Sequence, residues 1–168
     1  IGTARVHARI ATDARAPVAP GETRTLQLVL ERDMTAVHGD CFILRDSSAR
    51  HTLGGGVVLD PFAPAARRSA PARLAYVAAL QEDEPRAALA KLLAIPEQGT
   101  DLARFAATFN LHAGHCERLC KELKAAVIGR DKSAYAWAPA TLKALGEAVN
   151  ATLAEFHRTA PSAAVMEV

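Results

Sequence analysis

The sequence predicts an α+β multidomain chain, with a partial antiparallel β-barrel followed by an all-α domain of winged-helix type. Three observations predict it. Residues 1–60 alternate apolar and polar side chains between turn residues, the pattern of half-buried strands. Residues 74–158 change to helical spacing. Between them lies PFAPAARRSAPAR, residues 61–73, whose prolines disfavour helix and central strand alike. The expected units are a barrel over 1–63 and a linker over 64–73. A helical linker plus winged helix follows over 74–160, and a further segment begins at 161–168.

In TARVHARIAT, residues 3–12, Ala4, Val6, Ala8 and Ile10 alternate with Arg5, His7 and Arg9. Pro20-Gly21 marks a turn. RTLQLVLE, residues 24–31, alternates again through Leu26, Leu28 and Leu30. After the turn at His38-Gly39-Asp40 come two more strands, CFILR at 41–45 and HTLGGGVVLD at 51–60, around Asp46-Ser47-Ser48-Ala49. Gly54, Gly55 and Gly56 stand inside the last strand. Glycine there marks a bulge, a bend or a close backbone approach, and a tightly curved barrel needs all three.

The second half reads as helices. Leu74, Val77 and Leu80 form one face. Pro85 opens a second helix, which carries Leu89, Leu92 and Leu93 and stops near Pro96. Gly99-Thr100-Asp101 signals an N-cap before Leu102, Phe105, Ala106 and Phe109. Asn110-Leu111 reads as a tight break. A helix over about 113–126 buries Cys116, Leu119, Cys120 and Leu123. Val127-Ile128 and Ala134–Trp137 then flank Gly129–Ser133 as a β-hairpin. Pro139 opens a last helix with Leu142, Leu145, Val149, Leu153 and Phe156 on one side. Helix, helix, tight turn, helix, hairpin is the order of a winged helix, a helix-turn-helix variant.

Composition narrows the function. Half of the 168 residues are hydrophobic and 23% are charged, which fits a folded core rather than disorder. A net charge of +2 excludes a polycation, so any nucleic-acid contact comes from local patches. The third helix and the wing carry Arg118, Lys121, Lys124, Arg130 and Lys132. Six Lys/Arg stand against three acids between 111 and 143. Cations of this kind suit phosphate contacts, but solvated helix faces carry them too. The odd number of cysteines, three, fits a reduced, cytoplasmic protein better than a disulfide framework. No signal peptide and no membrane span are expected. The opening Ile1-Gly2 points to a fragment or a processed chain.

No catalytic centre is expected. G-x-x-x-x-G-K-S/T is absent, as are G-x-S-x-G and any dinucleotide fingerprint. His112, His115, Cys116 and Cys120 form a stripe along one helix. Zinc ligands normally come from separated elements, and both cysteines fall on the apolar face, so no metal site is assigned.

GDCFILRDSSARHTLGGGVVLDP, residues 39–61, resembles the closing strands of the third domain of translational GTPases. It is most similar to the bacterial selenocysteine-specific elongation factors, and VHARIA at 6–11 and PGETRTLQLVLE at 20–31 extend the likeness. The α half is similar to the linker and first winged helix of that family's C-terminal extension. The resemblance implies part of a GTPase that delivers selenocysteyl-tRNA to the ribosome at UGA codons. Its third domain helps hold the tRNA, and its terminal winged helices bind a hairpin in the selenoprotein messenger. It further implies that Arg45, Arg50 and His51 face tRNA phosphate, against the alternative that they serve packing or solubility. GTP and Mg²⁺ would belong to the parent protein, with no cofactor in this chain. The family's third domain has more strands than these residues supply, so N-terminal strands are expected to be missing. A competing reading is a winged-helix DNA-binding transcription regulator with a small β domain.

Overall fold

A computed structural model describes residues 4–11, 17–64, 70–95, 99–130 and 133–159. Four strands form in the first half: β1 (Ala8–Ala11), β2 (Gln27–Leu30), β3 (Cys41–Arg45) and β4 (Thr52–Val57). They pair antiparallel, β1 with β2 and β3 with β4, as two separate two-stranded sheets. The expected continuous barrel sheet is therefore corrected. No ladder joins β2 to β3 among the described residues, and no barrel closes. Part of the physical reason is a bond made elsewhere. The His38 N–H, ahead of β3, donates to Thr108 O in the helical half at 2.7 Å instead of to a neighbouring strand. Ile43, Leu53 and Val57 remain exposed, so these strands enclose no interior of their own.

The glycines of β4 act through close approach. Leu44 opposes Gly54 and Arg45 opposes Thr52, so the register shifts at Leu53 as a bulge. A Cβ on Gly55 would stand 2.8 Å from Phe42 O, and one on Gly56 would stand 2.9 Å from the tip of the Phe42 ring. The Phe42 side of the hairpin packs directly against bare backbone.

The second half contains α1 (Pro71–Ala79), α2 (Pro85–Leu93), β5 (Thr100–Asp101), α3 (Leu102–Thr108), α4 (Ala113–Glu122), β6 (Ala126–Ile128), β7 (Tyr135–Trp137) and α5 (Pro139–Thr159). Helix α1 starts three residues earlier than Leu74, inside the expected linker. Pro71 sits in its first turn, where a missing N–H costs nothing. The expected face is also corrected at one position: Leu74 is exposed, while Leu80 is fully buried. Asp101 caps α3 by accepting from the Arg104 N–H at 3.0 Å, as its position predicts. The same residue belongs to β5, a strand not expected from the sequence. It pairs with β7, giving a three-stranded sheet of order β5-β7-β6. Asn110 breaks the chain between α3 and α4 in a left-handed conformation, φ 52°.

The core lies in this half. Leu80, Leu89, Leu92, Phe105, Cys116, Leu119 and Cys120 pack together beneath Ala136 of β7. Leu59, just beyond β4, packs onto the same cluster from the β half. Helix α5 has no buried residue, and its predicted apolar side leaves Leu145, Val149 and Leu153 exposed. No described helix is long and apolar enough to cross a membrane.

Candidate nucleic-acid interface

The predicted cations fall into two groups. Arg45, Arg50 and His51 stand at the closed end of the β3–β4 hairpin, all exposed. The turn that presents them is organised by Asp46. One carboxylate oxygen accepts from the backbone N–H of Arg50 at 2.7 Å and of His51 at 3.1 Å. The other accepts from the Ser48 hydroxyl at 2.7 Å and lies 3.3 Å from His51 Nδ1. Ala49 supplies the left-handed residue, φ 54°. The Ser48 hydroxyl and the His51 N–H hold the Asp46 carboxyl at about 2, from an ordinary 3.8, because donors aimed at a carboxylate favour its charged form. The two guanidinium groups and the His51 imidazole therefore project from a turn whose backbone is held by the Asp46 carboxylate.

The second group lines a groove of about 800 Å³ between α3, α4 and β6. Lys121, Lys124 and Arg130 stand on its rim, with Glu117 beside them. Its floor is apolar, built from Leu102, Ala106, Cys116, Cys120, Val127 and Ala134. Lys124 follows the C-terminal end of α4 in a left-handed conformation, φ 53°, which turns the chain into β6. Gly129 opens the turn of the β6–β7 hairpin at φ 89°, where a Cβ would lie 2.2 Å from Ser133 O; any larger residue there is excluded. Arg118 is exposed on α4 but does not line the groove. Lys132 lies outside the described residues. The structure thus brings three of the five expected α-half cations to one concavity.

Helical spacing puts Glu117 on the same face as Lys121 and Lys124, and it does join them at the rim, but nothing in the sequence marked Asp46 as the organiser of the first group. The Asp-Ser-Ser run was legible only as a turn. The two thiols of the floor shift in opposite directions, Cys120 being lowered by its hydrogen bond with Cys116. The neighbouring Cys120 thiol and burial push the Cys116 thiol up, so it stays protonated. Among the described residues, no group of three or more His, Cys, Asp or Glu side chains could hold a metal ion.

Residues 1–65 match the family "Selenocysteine-specific elongation factor, beta-barrel domain". Over this span the chain is similar to the barrel domain of selenocysteine-specific elongation factors, SelB. The matched span contains both strand pairs and the whole Arg45–Arg50–His51 rim. Comparison of the chain with curated proteins gave no match. The β half thus resembles a SelB barrel-domain segment, and the helical half follows it directly in the chain.

Proposed function

We propose that this chain is the part of a selenocysteine-specific elongation factor that helps hold selenocysteyl-tRNA and links the GTPase body to messenger-binding winged helices. Selenocysteine incorporation at UGA codons on the ribosome, in the cytoplasm, would be the task of the parent protein. The family match over residues 1–65 carries this reading. Two further observations support it. The order α2, β5, α3, α4, β6, β7, with sheet order β5-β7-β6, is the connectivity expected of a winged helix, in which α4 is the reader helix and the turn after Ile128 is the wing. Both groups of basic side chains also stand at the surface, at the hairpin tip and on the groove rim, open to an approaching phosphate.

In this reading Arg45, Arg50 and His51 position the tRNA backbone rather than read bases, since exposed cations on a rigid turn neutralise phosphates without regard to sequence. Lys121, Lys124 and Arg130, with Arg118 and Lys132, offer the second contact. Nucleotide chemistry is assigned elsewhere in the parent. GTP and Mg²⁺ need a phosphate-cradling loop followed by Lys and Ser/Thr, and the chain has no such sequence.

Charge reversal at Arg45 and Arg50 in the full-length factor tests the reading. Selenocysteyl-tRNA affinity is expected to fall, and the slope of log affinity against log salt to flatten by about one for each phosphate no longer neutralised. An unchanged slope would assign both side chains to structure alone. The isolated chain is expected to bind the tRNA weakly and to release no phosphate from GTP. Measurable turnover by the chain alone would overturn the assignment.

A further inference from the structure

The two halves meet through a polar joint that no periodicity in the sequence announces. Asp60, three residues past β4, has a side chain only 3% exposed. Arg73 from α1 donates to its Oδ2 at 2.6 Å. Arg104 from α3 approaches the same oxygen at 3.1 Å and also donates to the carbonyl of Phe62. The Phe62 N–H closes the loop onto Asp60 Oδ1 at 2.9 Å. Both guanidinium groups lie over the Tyr76 ring, 5.3 and 5.7 Å from its centroid. Burial, then the charge of Asp60, pushes the Tyr76 hydroxyl up, which keeps the ring neutral beneath two cations. A second fixing stands at the other end of the hairpin base. His38 reaches Leu80 O through Nε2 at 2.8 Å, donates its backbone N–H to Thr108 O, and stacks on Phe109 at 4.3 Å. Backbone bonds Gly39 N–H to Val58 O and Val58 N–H to Asp40 O, each 2.9 Å, tie the two points into the base of the β3–β4 hairpin.

From these interactions we infer that Asp60 is the pin of a rigid joint, so that the β3–β4 hairpin and the helical half turn as one body. A proline-rich connection alone would leave their angle free. One carboxylate shared between two helices does not. A buried ion pair adds little net stability over apolar packing, but breaking it leaves uncompensated charge, so the geometry that brings both arginines onto Asp60 is favoured over others. The His38 fixing lies on the far side of the hairpin base, and two separated fixings suppress rotation about either. The consequence is mechanical. The Arg45–Arg50–His51 rim is held at a set distance from the Lys121–Lys124–Arg130 groove, whatever each binds.

Backbone amide relaxation of the full 168-residue chain tests this. In the wild type, amides of β3 and β4 are expected to report the same rotational correlation time as those of α2 and α4. In Asp60→Ala, the hairpin amides are expected to shift to a shorter time while the helical amides keep theirs and helical circular dichroism is unchanged. Where alanine unfolds the helical body as well, Asp60→Asn carries the test: it keeps the shape and removes the charge that both arginines share, and the same shift is expected. Unequal correlation times in the wild type would overturn the proposal. So would equal times that persist in an Asp60→Asn, His38→Ala double variant.

Discussion

The Nε2 of His38 lies 2.8 Å from the carbonyl oxygen of Leu80, the residue that ends α1. A carbonyl only accepts, so Nε2 carries the hydrogen. Leu80 is fully buried, and helix ends leave their last carbonyls without intrahelical partners. The imidazole therefore supplies from the β half a hydrogen bond that α1 cannot make for itself. Its ring covers Phe109 at the end of α3 in the same position.

Replacing His38 by Ala should therefore destabilise the helical half, although His38 belongs to neither helix. Without the imidazole a buried acceptor is stranded and the Phe109 ring is uncovered. Together these are expected to cost about 2 kcal/mol. Urea denaturation followed by helical circular dichroism measures it. His38→Gln, whose amide N–H₂ can reach a carbonyl, should recover part of the loss. A change under about 0.5 kcal/mol, the size of an ordinary surface substitution, would mean that water satisfies Leu80 instead.

The three consecutive glycines of β4 are expected to differ sharply when each is changed to Ala. Gly54 has open space where a Cβ would go, so Gly54→Ala should stabilise the hairpin by about 0.5–1 kcal/mol through the unfolded chain. At Gly56 the obstacle is the far end of the Phe42 ring, which can rotate away, and the cost should be small. At Gly55 it is the Phe42 carbonyl oxygen at 2.8 Å, part of the paired strand itself. Gly55→Ala should cost about 1–3 kcal/mol, the range for forcing atoms into a packed site. Amide hydrogen exchange across β3 and β4 reports the order, and a Gly54 variant as damaging as the Gly55 variant would refute it.

These glycines also show how far the sequence could be read. Their presence in a strand announced a close approach, which Gly55 and Gly56 make, while the bulge falls beside them at Leu53; the constraint is local to one pair of strands. The helices were legible for the same reason. Pro85, Asp101 and Asn110 act within one turn of where they stand, and the apolar spacing of Leu89, Leu92 and Phe105 names their buried face. What failed was long-range. The strands of residues 1–60 were expected as one barrel sheet, but pairing between hairpins depends on partners far along the chain, and His38 finds its partner at Thr108. Leu74 misled because helical spacing marks a face without saying whether anything covers it. Asp60, Arg73 and Arg104 gave no signal at all. The two arginines stand 13 and 44 residues from Asp60, and no short pattern links a lone carboxylate to two distant arginines.

Acid should loosen the turn that carries Arg45, Arg50 and His51. The Asp46 carboxyl titrates at about 2 in the fold and at about 4 in an unfolded chain. A carboxyl depressed in this way binds its proton more readily unfolded, so acid favours the unfolded turn. The stabilisation is complete above about pH 4 and is lost as pH falls toward about 2. The ion pair with His51 contributes little to this window, because the His51 side chain is 79% exposed and such pairs are screened. The hydrogen bonds from Ser48 and from the His51 backbone N–H, the two largest contributions, carry it. Carbon-13 titration of the Asp46 carboxyl should give a midpoint near 2, with the hairpin amides losing exchange protection in the same interval. Ser48→Ala should raise that midpoint, since the hydroxyl makes the largest contribution to the shift. Asp46→Asn should remove the acid step from the hairpin while leaving the helical half unaffected. A wild-type midpoint near 4 would show that the carboxylate is solvated, and that the cationic rim is presented by a loop with no internal order.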